Sequence, residues 1–132
     1  MNQELDNIIE NVCERDKRYK SDAYVFVLEA LNFTQKKFRR LKHVTGEELL
    51  SGIRELLLEK FGPMTLSVLR HWGVKKTEDF GNIVFNLVSN KVLSRTEEDT
   101  VESFKDGYDF KEAFGAGYQR QLEKKISKMR SM

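Results

Sequence analysis

Five cations fall within seven residues in "KKFRRLK": Lys36, Lys37, Arg39, Arg40 and Lys42, with His43 directly after. The chemistry they offer is electrostatic. Guanidinium and ammonium groups grip phosphates, with an affinity that falls steeply as salt rises. The competing reading is a solvated helix end, where Lys and Arg also favour the negative pole of the helix dipole. Helical phase puts Lys36, Arg39, Arg40 and His43 on one face, with Phe38 and Leu41 pointing elsewhere. Arg120, Lys124, Lys125, Lys128 and Arg130 form a second basic patch near the end of the sequence. They either extend a phosphate site or keep a tail in solution.

Other reactive residue types are sparse. His43 and His71 are the two histidines, and neither has a metal-ligand spacing to Cys13 or to the other. Beside Trp72 at a helix end, His71 reads as a capping or packing residue. Cys13 lies on the edge of an apolar stripe and reads as a small buried hydrophobe. The tripeptide "DFG", Asp79 to Gly81, invites a kinase assignment, but the chain has no Gly-rich phosphate loop and no His-Arg-Asp catalytic loop. Asp79 instead suits the first turn of a helix. No nucleophile sits beside a base in sequence, and no paired carboxylates stand out. The expectation is a protein that is not an enzyme, with no catalytic residue, cofactor or metal.

The stretch "WGVKKTEDFGNIVFNLV" has the form of the second half of a helix-turn-helix. Phe80, Ile83, Val84, Leu87 and Val88 share one arc of its helix, the side that seeks a core. Glu78, Asn82, Phe85, Asn86 and Ser89 occupy the opposite arc. A helix that reads base edges presents Arg, Lys, Asn or Gln, with cations nearby for the phosphates. This face has no cation, and Glu78 and Asp79 stand at the end that meets the groove in such complexes. The shape is therefore helix-turn-helix, but the chemistry is wrong for base readout. Asn82, Phe85 and Asn86 are then either a contact for a protein partner or a face covered by the first two helices, and an internally packed helix is the favoured reading.

Those residues need a frame, and the periodicity supplies one. Leu5, Ile8, Ile9 and Val12 mark a first helix. Ser21 and Asp22 are candidate caps of a second, which carries Tyr24, Val27, Leu28, Leu31 and Phe38 into the cation run. "TGEE" at 45–48 is a capping box opening a third helix, which Gly62 and Pro63 end. A short helix over "MTLSVLRHW" follows, stopped by Gly73. Thr77 is the candidate cap of the next, which runs to about Asn90. Val92 and Leu93, the polar "TEEDT" and "VESF" read as two short strands around a turn, with a helix over 97–105 as the competitor. Tyr108, Phe110 and Phe114 look like anchors of a returning segment. Gly115 and Gly117 form a hinge before a basic final helix.

Taken together, "DAYVFVLEALNFT", "HVTGEELLSGIR", "FGPMTLSVLRHWGVKKTEDFGNIVFNLV" and "GYDFKEAF" resemble a family of small bacterial proteins with no assigned activity. The resemblance spans roughly residues 15–114. It implies a compact, non-secreted, winged-helix-like protein and carries over no catalytic residue. One departure is visible. The family has a Gly before the Leu-Leu that opens the wing, whereas this chain has Asn90, Lys91 and Val92.

Bulk properties agree with a compact chain. Its 132 residues suit one domain with a real core, and 39% hydrophobic with 33% charged residues is a globular composition. No apolar run approaches the roughly 20 residues of a membrane helix. The acidic, amphipathic N-terminus is neither a signal nor a transit peptide. A single cysteine excludes an internal disulfide and fits the cytoplasm. The expected fold is mainly α: a winged-helix-like helical domain with a small β-hairpin, preceded by two helices. Residues 1–114 form the domain, and residues 115–132 form a basic helical tail. The expected function is a protein-interaction module, and the alternative is nucleic-acid or ribonucleoprotein binding through the cation run and the tail. The sequence leaves the oligomeric state open.

Overall fold

The structure, a computed structural model, describes residues 3–94 and 101–130. The chain is mainly helical: α1 (Gln3–Arg15), α2 (Ser21–Lys37), α3 (Gly46–Phe61), α4 (Thr65–Trp72), α5 (Thr77–Ser89), α6 (Phe110–Phe114) and α7 (Ala116–Arg130). A 3-10 turn at Gly62–Met64 joins α3 to α4, and another covers Val101–Phe104. None of these helices is long and apolar enough to cross a membrane.

The core is shared by all but the last helix. Tyr24 and Val27 of α2, Ile53 and Leu57 of α3, Leu69 of α4, Phe80, Ile83 and Leu87 of α5, and Phe114 of α6 are fully buried. α1 adds Ile9 and Val12, the inner pair of its predicted stripe. Helices α2 and α3 cross tightly because Gly52 has no side chain. A Cβ there would lie 1.8 Å from Oγ1 of Thr34, which is buried and donates to the Ala30 carbonyl at 2.7 Å. Two aromatic clusters brace the ends. Phe26, Phe61 and Trp72 meet at 5.3–6.4 Å, and Phe80, Tyr108, Phe110 and Phe114 at 5.5–6.2 Å.

The helix boundaries follow local chemistry, with corrections to the sequence expectations. The capping box is present: Thr45 Oγ1 accepts from the Glu48 N–H at 3.0 Å, and Glu48 accepts from the Thr45 N–H at 2.9 Å. Ser21 does not cap α2, because Lys20 occupies the cap position and makes no side-chain bond there. Thr77 does not cap α5 either. Lys76 holds the cap position, and Thr77 Oγ1 instead accepts from the Gly107 N–H at 3.0 Å, tethering the returning segment. Asp79 takes over the capping duty and accepts from the N–H groups of Lys75 (2.8 Å) and Lys76 (3.1 Å).

Three helices stop in the same way. An amide bonds back five residues across one left-handed residue: Arg40 to Gln35 at 2.8 Å, Val74 to Leu69 at 2.9 Å and Val92 to Leu87 at 2.9 Å. The residues at the corners are Arg39 (φ 56), Gly73 (φ 84) and Lys91 (φ 60). This is the Schellman stop, which usually takes glycine. α2 therefore ends at Lys37, so Lys36, Arg39, Arg40 and His43 do not share a helix face. The departure from the resembled family at "NKVL" also falls on one of these corners, where Lys91 makes the turn without glycine.

The expected hairpin is absent from the described residues. Val92 and Leu93 bend away from the end of α5, and "VESF" is a 3-10 turn rather than a strand; residues 95–100 lie outside the described part. Phe104 explains the turn. It is 2% exposed and lies against α5 at Gly81, where a Cβ would meet its ring at 3.0 Å. A strand ladder would have drawn that ring out of its seat.

The returning segment behaves as expected. Phe110 and Phe114 are buried, and the Tyr108 hydroxyl donates to the Leu50 carbonyl at 2.8 Å. Asp109 caps α6 by accepting from the Glu112 N–H at 3.1 Å. Beyond Gly115, α7 leaves the core, and Gly117 is its one buried residue.

Candidate functional site

A groove of about 1210 Å³ lies between the end of α2 and the outer side of α5. The connection 41–45 forms one lip, and Lys91 to Ser94 form the other. Leu31, Val44, Leu49, Val84, Val88 and Phe104 supply its apolar floor. Two large apolar side chains stand proud of it: Leu41, 99% exposed, and Phe85, 59% exposed. The charged side chains lining it are Lys42 and Lys91, with the His43 imidazole beside Lys42 and no carboxylate among the described lining residues.

The two helix stops build this shape. With Arg39 left-handed, the chain leaves α2 sharply, and the following residues swing out as a lip with Leu41 at its edge. Lys91 turns the end of α5 in the same manner, placing Val92 and Leu93 across from that lip. Val44, buried, fastens the first lip to the core. The Gln35 side-chain amide donates to the Lys42 carbonyl at 2.6 Å and ties the lip to α2.

The three residues proposed from sequence as a contact face part company here. Phe85 is exposed in the groove. Asn82 and Asn86 turn the other way and are engaged within the chain. The Asn82 amide donates to the Tyr19 hydroxyl at 3.0 Å. The Asn86 amide donates to Asp16 at 3.0 Å and to the Tyr24 hydroxyl at 2.9 Å. The Tyr19 hydroxyl donates onward to Asp79 at 2.5 Å. Asn82 and Asn86 are thus covered by Asp16 and Tyr19 of the connection between α1 and α2 and by Tyr24 of α2, while Phe85 and Ser89 stay exposed.

Electrostatics in that cover are strongly shaped. Arg18 forks onto Asp16 at 2.9 and 2.7 Å, and this pairing, helped by Asn86, holds the Asp16 carboxyl well below the usual carboxylate range. Burial, reinforced by the bond to Asp79, pushes the Tyr19 hydroxyl above its ordinary value, and burial also raises Tyr24. Cys13 is raised by burial and by Asp16 and Glu10 nearby, so its thiol stays protonated at neutral pH and is a poor nucleophile.

The cation run is partly spoken for. Lys37 pairs with Glu55 of α3, and Arg40 pairs with Glu48 at 3.0 Å. The Thr45 amide and then Arg40 hold the Glu48 carboxyl below its ordinary range. Among the described residues Lys36, Arg39 and Lys42 have no ion pair, and all three are exposed. Lys42 alone of the five lines the groove. His43 also lines it, whereas His71 borders a shallower dish beside Phe26, Phe61 and Trp72. Among the described residues no group of three or more His, Cys, Asp or Glu is placed to hold a metal ion.

Leu41 and Lys91 were missed in the sequence. Leu41 had a signal, a lone large aliphatic residue inside a run of cations just past a helix. Lys91 had none beyond its place after Asn90. Compared with known proteins, the chain matches no family model, no curated protein and no solved structure.

Proposed function

We propose that this protein is a non-enzymatic interaction module of the cytoplasm that takes an acidic, apolar-anchored segment of a partner protein into the groove between α2 and α5. The observation that carries the reading is the pair Leu41 and Phe85, two large apolar side chains exposed on one concave surface. Exposed aliphatic and aromatic groups gathered in a hollow act as anchors, and truncating such an anchor weakens binding by about 2 kcal/mol, roughly 30-fold. Lys42, His43 and Lys91 around it favour a partner with carboxylates beside its apolar residues. In this reading α4 and α5 keep the helix-turn-helix form as a scaffold. α5 presents Phe85 to protein instead of Asn82 and Asn86 to base edges.

The competing reading, phosphate binding through Lys36, Lys37, Arg39, Arg40 and Lys42, is weakened because Lys37 and Arg40 already face carboxylates. One experiment separates the two. The tagged full chain is recovered from its own cells at low and at moderate salt, with and without nuclease. A protein partner should persist through nuclease and salt. It should disappear with Leu41→Asp plus Phe85→Asp, a pair of exposed positions whose change leaves the core intact. Loss of all partners on nuclease treatment, or on Arg39→Glu plus Arg40→Glu with the apolar pair untouched, would overturn the reading in favour of nucleic acid.

A further inference from the structure

We propose that α7 is one strand of a coiled coil whose other strand is an acidic helix of a different protein. This surface is separate from the groove and does not depend on its reading. α7 buries Gly117 alone, and three large apolar side chains lie open along it: Leu122 (39% exposed), Ile126 (41%) and Met129 (71%). Their spacings of four and three residues keep them in line. With Tyr118 they span about 80° of the helix circumference at roughly 100° per residue.

That width decides between occupants. A helix lying on a bilayer needs a broad apolar face with deep-reaching aromatic or leucine side chains, and this stripe is too narrow. It matches the seam that a single neighbouring helix covers, with Leu122 and Met129 at one core position of the heptad and Ile126 at the other. From Leu122 to Met129 the stripe covers about two turns, roughly 10 Å of the helix.

Charge then chooses the partner. α7 carries Lys124, Lys125, Lys128 and Arg130 against Glu123, while Arg120 pairs with Glu112 of α6 at 3.3 Å. Lys125, Arg130 and Glu123 flank the seam, a net positive edge where a paired helix places its own charges. Two copies of α7 would bring two net-cationic helices together, so a second copy of this chain is a poorer occupant than an acidic helix. A nucleic acid on the cationic side would leave the apolar stripe in water. An acidic helix with apolar core positions satisfies both faces at once.

The test uses the full chain and a synthetic 21-residue probe of about three heptads, with Leu at both core positions and Glu at the flanking ones. A control peptide has the same composition with the leucines scrambled. Labelled peptides are titrated by fluorescence anisotropy. The heptad peptide should bind at least about tenfold more tightly than the scrambled one, a difference of about 1.4 kcal/mol. That preference should vanish in Leu122→Ala with Ile126→Ala, which removes the stripe while keeping a strong helix former at both positions. Lys125→Glu with Arg130→Glu should weaken binding of the acidic peptide and leave the stripe in place. Phe85→Ala should leave binding unchanged, which separates this surface from the groove. Equal binding of both peptides, or no binding of either, overturns the proposal. So would an Ile126-dependent attachment to phosphatidylglycerol vesicles, or a concentration-dependent dimer of the chain alone that Leu122→Ala with Ile126→Ala dissolves.

Discussion

Arg39 and Lys91 each occupy a left-handed corner that suits glycine, with φ of 56 and 60. A side chain there costs about 1–2 kcal/mol, part of which glycine gives back through its greater freedom when unfolded. Arg39→Gly and Lys91→Gly should therefore each stabilise the fold by about 0.5–1 kcal/mol in a denaturant titration. Neither residue has an ion pair among the described residues to lose. A loss of stability in either variant would mean that the side chain holds something the backbone does not reveal. Gly73 has no such latitude. It is left-handed, and a Cβ there would come within 2.1 Å of the Arg18 carbonyl.

Among the elements, the crossing of α2 and α3 sets the floor of the groove. Gly52→Ala would drive a methyl group into Thr34, which is fully buried and cannot swing aside. Overpacking of this kind costs typically about 1–3 kcal/mol. The variant should lie at the upper end of that range, read as a lowered denaturation midpoint with an unchanged slope. The companion Thr34→Ala should recover part of the loss. These helices are also where the sequence was most legible. The stripe of α1, the capping box of α3, the Gly62 and Gly73 stops and the aromatic anchors Phe110 and Phe114 all follow from rules within one or two turns of helix. The hairpin failed because Phe104 is held by a seat at Gly81, some twenty residues earlier in the chain. The cover over Asn82 and Asn86 was open as an alternative, but its residues were not legible, since Asp16, Tyr19 and Tyr24 reach them from about sixty to seventy residues away. Phe85 was legible as the apolar exception on a polar arc. The groove was not, because its two lips come from helix ends that meet only in three dimensions.

Across the whole molecule, the shifted groups predict a stability plateau with two edges. Asp16 is held below its ordinary value in the folded state by Arg18 and Asn86. Its contribution is therefore present above the unfolded carboxylate value of about 3.9 and is lost as pH falls below it. Tyr19, Tyr24 and Tyr108 are raised, chiefly by burial. Their contribution is present below the unfolded tyrosine value of about 10 and is lost as pH rises beyond it. Thermal unfolding followed from pH 2 to 12 should show both edges. Asp16→Asn should flatten the acid edge, and Tyr19→Phe should soften the alkaline one. An acid edge unchanged in Asp16→Asn would assign it to other carboxylates.

The turn between α4 and α5 is short and lies at the surface, yet each of its amides has a partner. Gly73 and Val74 bond back to Arg70 and Leu69, and Lys75 and Lys76 both donate to Asp79, which also accepts from Tyr19. Such a joint has little conformational entropy left to lose. α5 therefore meets any ligand as a wall already in its bound shape, and the loss of freedom on association falls almost entirely on the partner's side. In the proposed interaction, selectivity at the groove would favour partners that are themselves stiff, such as segments already helical before they arrive.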